Sequence, residues 1–436
     1  MGLSSSLNAG VMGLSVNATK LSTISDNIAN SETYGYKRSD AEFTNMVISQ
    51  GSGTYTAGGV RVTTFKDVDA QGALVSTANS TDISVSGRGL LPVTSVSAFG
   101  SNAGDTAELL LTSTGSFQAD ENGYLKTLSG LYLLGWPANA DGTVTVPGRD
   151  SAAGLEPVNI TNNQFAAAPT STVSLGLNLP ATATHYDASG DSYELPVEYF
   201  VNLGSSQTLD ITFIPQIPAS GASNTWTVEV RDRAGTPPTA VVATFDIVFD
   251  DSSAAGGSIQ SVVDGAGATY DSATGMVSLN VASGPMSLYI GEPLSGGPMT
   301  QLSADFSPVS VTKDGAPIGS LSYVEINDQG MIEAIYDNGF RRTIYQIPIA
   351  DVPNLDGLRA LDNQTFAISQ DSGLVYFWDA GTGPVGTTTG YALAESTTDI
   401  AAELTDLIET QRAYSSNAKI IQTVDEMLQE TTNLKR

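Results

Sequence analysis

The chain has 436 residues, no cysteine, one histidine and 46 acidic against 18 basic side chains, a net charge of −28 at pH 7. A charge of that size and sign works against nucleic acid or an anionic membrane as a partner, and the lack of thiols excludes disulfides and thiolate metal sites. The length is that of about three domains, and no stretch approaches the ~20 continuous apolar residues of a membrane-spanning helix.

The chain starts and finishes as helix. Between Leu7 and Ile28, the residues Leu7, Val11, Leu14, Ala18, Leu21, Ile24 and Ile28 recur at steps of four and three and mark one helical face. From Met1 to Ser31 the only charged side chains are Lys20 and Asp26, the other polar positions being Ser, Thr and Asn. A solvated face normally carries Lys and Glu, so this helix is expected to touch protein on more than one side, although packing on its own domain fits the pattern as well. No basic stretch followed by an apolar core precedes it, so a cleaved signal peptide is not expected.

Residues 33–70 read as a connecting region, with Gly51, Gly53, Gly58 and Gly59 among Thr, Val and Tyr. A first β domain begins near Gln71: Asp82 to Val93 alternates, Asn122-Gly123 signals a hairpin, and Tyr132 to Trp136 reads as a strand. Gly87-Arg88-Gly89 lacks the third glycine and following helix of a phosphate loop, and Asn139-Ala140-Asp141-Gly142 lacks the distal Glu of a calcium loop. The composition then shifts. Across 151–300, Arg231 and Arg233 stand against fourteen acidic residues, and runs at Val173–Leu179, Tyr193–Phe200, Leu209–Ile214, Trp226–Val230, Val241–Phe249 and Met276–Val281 predict a second all-β domain, a sandwich or barrel. Residues 301–368 read as a further ladder of short strands, with Asn338-Gly339 marking another hairpin, and the Gly- and Thr-rich 369–398 reads as a return linker.

In the last segment, 399–436, one stripe comprises Ile400, Leu404, Leu407, Tyr414, Ala418, Ile421 and Leu428 and a second Ile420, Val424, Met427 and Leu434, which suits a rod with more than one neighbour. Its charges, Glu403, Asp406, Glu409, Arg412 and Lys419, are expected to meet solvent.

Two motifs carry a family resemblance. The run Ile24-Ser25-Asp26-Asn27-Ile28-Ala29-Asn30-Ser31-Glu32-Thr33-Tyr34-Gly35-Tyr36-Lys37-Arg38 resembles the N-terminal signature of bacterial flagellar rod and hook proteins. Leu407 to Lys419, with Asp425-Glu426-Met427-Leu428 and Asn433-Leu434-Lys435-Arg436, is similar to their C-terminal signature. The signature residues are Asn27, Asn30, Thr33, Gly35, Tyr36 and Lys37 in the first and Gln411, Arg412, Ala413, Tyr414, Asn417 and Ala418 in the second. Read physically, Asn27 and Asn30 suit a helix end where side-chain amides replace backbone partners, and Gly35 suits a turn with positive φ.

The resemblance implies an α+β multidomain chain: terminal helices forming a coiled-coil-like tube domain, and two mainly β domains, the second inserted in the first. It implies a structural subunit that polymerises into the flagellar hook, a flexible tube transmitting torque from rod to filament, with a distal rod or hook-associated axial protein as the alternative. Polymerisation would run through Leu7, Val11, Leu14, Leu21, Ile24, Ile28, Leu404, Leu407, Tyr414, Ile421 and Leu428, and the helices would have little to bury against in a free subunit. The implied partners are further copies, the distal rod, hook cap and hook–filament junction proteins, and the export apparatus; the implied location is extracellular, without a cleaved signal peptide. No cofactor, metal or catalytic residue is expected. A secreted β-rich polysaccharide-active enzyme or adhesin is the reading from another class, but catalysis by a Ser-His-Asp arrangement would rest on His185 alone, read as a surface residue beside Asp187 and Asp191.

Overall fold

In the computed structural model the described residues are 3–46, 58–96, 108–139, 141–146, 148–235 and 240–433. Gly51, Gly53, Ala140 and Leu434 to Arg436 therefore lie outside them. The chain forms two compact units, one of residues 1–163, 323–335 and 341–436, the other of residues 164–322 and 336–340, so that the second is inserted in the sequence of the first. The fold is α+β, with terminal helices and mainly β bodies.

In the first unit, α1 (Leu3–Ala29) and α2 (Ile400–Asn433) pack together as an antiparallel pair. The register follows from contacts at both ends. A Cβ on Gly10 would lie 3.2 Å from Ile421 Cγ1, one on Gly13 would lie 2.8 Å from Asn417 Oδ1, and Asn27 donates to Glu403. Glycine at positions 10 and 13 thus lets the two helices approach closely. Asp399 caps α2, its carboxylate accepting from the N–H groups of Ala401 (2.8 Å) and Ala402 (3.2 Å). Each helix consequently buries part of itself on the other within a single chain, which corrects the expectation that both have little to pack against.

The segment between α1 and the β body is more than a connector. β1 (Ser39–Asn45) and β2 (Val60–Lys66) pair antiparallel from Ser39↔Lys66 to Asn45↔Val60, with Phe43 opposite Val62. Next in the unit, Arg341–Gln346 pairs with Tyr132–Pro137, which also meets Leu91–Thr94; Leu110–Thr112 and Phe366–Ala367 extend the sheet. The expected return linker also belongs to this body: Thr387–Gly390 pairs with Asp82–Ser86, Ala392–Ala394 with Leu74–Ser76, and Tyr376–Trp378 with Ile349–Asp351. Glycines and threonines suggested a linker there, but short strands filling a sheet edge need few large side chains of their own. Trp136, Leu111, Leu134, Phe366 and Phe377 lie in one of its cores. The Arg88 turn is structural, its guanidinium held by Asp351 (2.8 Å) and the Val352 carbonyl (2.7 Å), and Asp141 closes a turn onto Thr143.

The second unit is a β-sandwich. One sheet is an antiparallel meander of Tyr193–Phe200, Ser206–Pro215, Thr225–Asp232, Val241–Phe249 and Ile259–Asp264. The other is built around Thr172–Pro180, which pairs parallel with Gly284–Tyr289 and Met299–Leu302 and antiparallel with Ser307–Lys313. The unit therefore runs from Gln164 to Ser322 rather than over the expected 151–300, because Ser307–Lys313 completes its second sheet. Strict alternation along Thr225–Asp232 buries Trp226, Val228 and Val230 against Phe213, Phe245, Leu177 and Leu288.

That buried row ends in a carboxylate. Asp232 has no exposed surface and accepts from the Tyr199 hydroxyl (2.8 Å) and the N–H groups of Ala234 (2.9 Å) and Ala282 (2.8 Å). Asp232→Ala strands two or more of those donors, each worth ~1–3 kcal/mol, so loss of ~2–4 kcal/mol is expected, read as faster amide exchange in Tyr193–Phe200 of the full chain. Unchanged exchange there would show the bonds to be dispensable.

Candidate functional site

The end of α1, the turn after it and the start of α2 meet in one polar junction. After Ala29 the chain turns back through Asn30, whose amide bonds the Asp26 carbonyl (2.9 Å), and through Thr33, whose N–H donates to the Asn30 carbonyl (3.1 Å). Gly35 follows with φ +72, and a Cβ there would lie 2.8 Å from Thr114 Cγ2, so both conformation and space call for glycine. Its N–H donates to the Ala394 carbonyl (2.8 Å), tying the turn to the strand that precedes α2.

Asn27 is the hub. Its side-chain oxygen accepts from the Ser39 N–H (2.8 Å) while its amide donates to the Ser39 carbonyl (2.8 Å) and to Glu403 Oε1 (3.1 Å). Arg38 Nε donates to the same Glu403 oxygen (2.5 Å), Arg38 also pairs with Asp40 (3.0 Å), and the Arg38 N–H bonds Thr397 (2.8 Å). Glu403, read from the sequence as a solvated charge, has 0% of its side chain exposed. It lies on the same helical face as the buried Thr410 and Val424, and that spacing was the signal in the sequence for its burial.

Tyr36 and Lys37 are buried beside this junction. The Tyr36 hydroxyl lies within hydrogen-bond distance of Asp26 (2.9 Å) and Asn27 (3.1 Å); burial, reinforced by the Asp26 carboxylate, pushes it up to about 12. Lys66 sits 4.2 Å over its ring. Lys37 donates to the Ala70 carbonyl, and burial lowers its ammonium against the opposing pull of Asp67 and Asp69.

The expected polymerisation residues divide. Ile24 is buried in the chain; Leu7, Leu14, Leu21, Ile28, Leu407 and Ile421 are half-buried; Val11, Leu404, Tyr414 and Leu428 are exposed, with Val11 at 51%. Of the second signature, Ala413, Asn417 and Ala418 are half-buried, whereas Gln411, Arg412 and Tyr414 face outward. His185 is on the surface, bonded to Asp187 (2.5 Å). Among the described residues no group of three or more His, Asp or Glu is arranged to hold a metal, and no helix is long and apolar enough to cross a membrane.

The two chain ends thus form a helix pair clamped at a polar junction and outwardly apolar, and each end matches a model of flagellar basal body rod proteins, which places the chain among the axial structural proteins of the bacterial flagellum. Residues 7–37 match the family model described as flagella basal body rod protein, and residues 390–434 that described as flagellar basal body rod FlgEFG protein C-terminal. The chain is 32% identical over 439 residues to the flagellar hook protein FlgE of Rhizobium meliloti (strain 1021), covering 100% of both. It is 31% identical over 433 residues to the flagellar hook protein FlgE of Escherichia coli (strain K12), covering 98% of each. A crystal structure of Helicobacter pylori flagellar hook protein FlgE2 aligns to 73% of this chain and 100% of its own, with a TM-score of 0.46 and 14% identity. The chain belongs to the flagellar hook protein family, and as such it is a structural protein of the flagellum and not an enzyme.

Two outcomes test the junction. Glu403→Gln keeps the shape and removes the charge that Arg38 meets, so with Arg38 partly solvated a loss of ~2 kcal/mol is expected, read as faster amide exchange in the first two turns of α2. Tyr36 has its folded pKa raised above an unfolded value of about 10, so its contribution is complete below about pH 10 and is lost as pH rises toward about 12. Lys37, lowered in the folded state, acts with the opposite sign. Tyr36→Phe should therefore remove part of the alkaline fall in stability, and an identical pH profile would show that Tyr36 does not cause it.

Proposed function

We propose that this chain polymerises into the flagellar hook, a flexible tube that transmits torque from rod to filament, and that the helix pairs of many copies form its inner layer. The carrying observation is the apolar surface left on the helix pair: Ile400 47%, Leu404 46%, Ile408 52%, Tyr414 43%, Ile420 46% and Met427 51% exposed on α2, with Val11 at 51% on α1. A helix at rest in water does not hold so many large apolar side chains outward. Covering them would contribute roughly 1 kcal/mol each, enough in sum to hold copies together although every copy carries −28. Gln411 and Arg412, outward on the same helix, would set the register between neighbours.

The contacts are heterologous, since α1 and α2 offer different surfaces, and heterologous contacts that do not close build open helical assemblies. The seam takes in Leu7, Val11, Leu14, Leu21, Ile28, Leu404, Leu407, Tyr414, Ile421 and Leu428 together with the exposed Ile400, Ile408, Ile420 and Met427, with Ile24 serving the junction inside the chain instead. The finer partners are the distal rod below the hook, the hook cap during growth and the junction proteins above it. Export proceeds through the flagellar export apparatus to an extracellular position in the flagellum.

Purified full-length protein is expected to form tubes as salt screens its negative charge, seen by electron microscopy, with curvature marking a hook rather than a rod. Cutting the chain before Asp399 should leave folded β units that stay monomeric by light scattering under the same conditions. Tubes from the truncated chain would remove α2 from the interface.

A further inference from the structure

A cleft of about 590 Å³ opens beside the last turns of α1, between that helix, β2 and the segment from Asp356 to Ala360. Its volume is within the ~300–1,000 Å³ of ligand clefts. Thr19, Ser22, Thr23 and Asp26 line it from α1, whereas Gly10, Gly13 and Asn27 face α2, so the cleft lies on a different side of α1 from its own partner helix. Asp26 accepts from the neutral Tyr36 hydroxyl (2.9 Å) and Asn30 amide (3.0 Å), and Asp356 from the N–H groups of Val68 (2.9 Å) and Asp69 (3.4 Å). Neither carboxylate has an ion-pair partner among the described residues. Lys66, the one cation of the wall, is engaged by the Tyr36 ring (4.2 Å) and the Lys37 carbonyl (3.2 Å). Phe65 leaves 39% of its surface open. The cleft thus offers two carboxylates without an ion pair beside an accessible ring.

A complementary surface stands on α2. Glu403, Asn417 and Ile421 are on the side of that helix that meets α1. Ile408, Arg412, Ser415 and Lys419 follow one another at steps of four, three and four and so share the opposite side. All four are exposed, Ile408 at 52%. Arg412 and Lys419 make no ion pair among the described residues, although the chain holds 46 acidic side chains for 18 basic ones. Seven residues of helix set their origins ~10 Å apart along the axis. The outward face of α2 is therefore a short stripe with two cations whose counter-charges lie outside the helix pair that carries them.

We infer that this cleft receives the outward face of α2 from a second copy of the chain, with Arg412 and Lys419 meeting Asp26 and Asp356. Ile408, one turn before Arg412, covers the open ring of Phe65. Each copy carries −28, so like charge opposes contact over most of its surface, and a place where cations of one copy meet carboxylates of the next reverses that locally and fixes the register. Stripe and cleft are different surfaces on different sides of the helix pair, so each copy gives one contact and takes one, and the row does not close. The inference rests on the reading that copies polymerise, and adds which faces meet.

The absence of native cysteine makes the test direct. Ser22 lines the cleft and Ser415 stands between the two cations, on sides of the helix pair that do not meet within one chain. In the full chain carrying Ser22→Cys and Ser415→Cys together, oxidation of assembled protein is expected to give a ladder of covalent oligomers on a non-reducing denaturing gel, while each single variant stays monomeric on that gel. Arg412→Gln with Lys419→Gln should raise the critical concentration for assembly about tenfold, with the helical circular dichroism of the free chain retained. Dimers from Ser22→Cys alone would show that cleft meets cleft; that result, tubes that form without a ladder, or a critical concentration unmoved by loss of the two cations would overturn the docking and leave polymerisation standing. Failure of the unaltered chain to assemble at all would overturn both.

Discussion

Glu403 is a carboxylate with no exposed surface, held between Arg38 and Asn27. Moving such a group out of water costs several kcal/mol unless charge and hydrogen bonds replace the water it loses. Its partners come from a residue 365 positions away and one 376 positions away and both meet Oε1, so that oxygen is compensated only when both chain ends have come together, while Oε2 is buried with no hydrogen-bond partner among the described residues. Burial of this kind contributes less to net stability than to specificity, because any other docking of α2 would leave Glu403 or Arg38 without its counterpart.

From this junction the properties of the helix pair follow. Asn27 draws in Ser39 and so fixes where β1 begins; Gly35 draws in Ala394 and fixes the strand that leads to α2. The helices beyond are held by close approach at Gly10 and Gly13 and by a modest buried set of Val16, Ile24 and Val424. A pair held by geometry at its root and by few apolar contacts along its length keeps most of its hydrophobic surface for neighbours. A subunit of a helical polymer needs that division, since surface spent inside one copy is lost to the interface between copies.

The second unit follows the opposite rule. Its sandwich core contains Trp226, Phe213, Phe245 and the aliphatic residues of Thr172–Pro180, and its one fully buried carboxylate, Asp232, is satisfied within the unit. Its apolar residues serve its own interior and its acidic residues lie mostly outward, a distribution that keeps a body soluble while it is repeated many times along an assembly.

Local patterns in the sequence determined both helices, the hairpins at Asn122-Gly123 and Asn338-Gly339, six strands of the inserted sandwich and the two signatures, because the meaning of each does not depend on distant residues, whereas Ile259–Asp264, Gly284–Tyr289 and Met299–Leu302 of the same sandwich were not legible there. Tertiary structure alone decided the rest. That Glu403 is buried, that the glycine- and threonine-rich stretch before α2 is part of a sheet, that Ser307–Lys313 completes the sandwich, and that Val11 faces out while Ile24 faces in all depend on contacts between residues far apart in the chain. An apolar stripe records that a helix has a face to cover; which part its own chain covers is set by where the partner helix lies, and here that was fixed by one buried carboxylate with its partly exposed arginine and by two glycines.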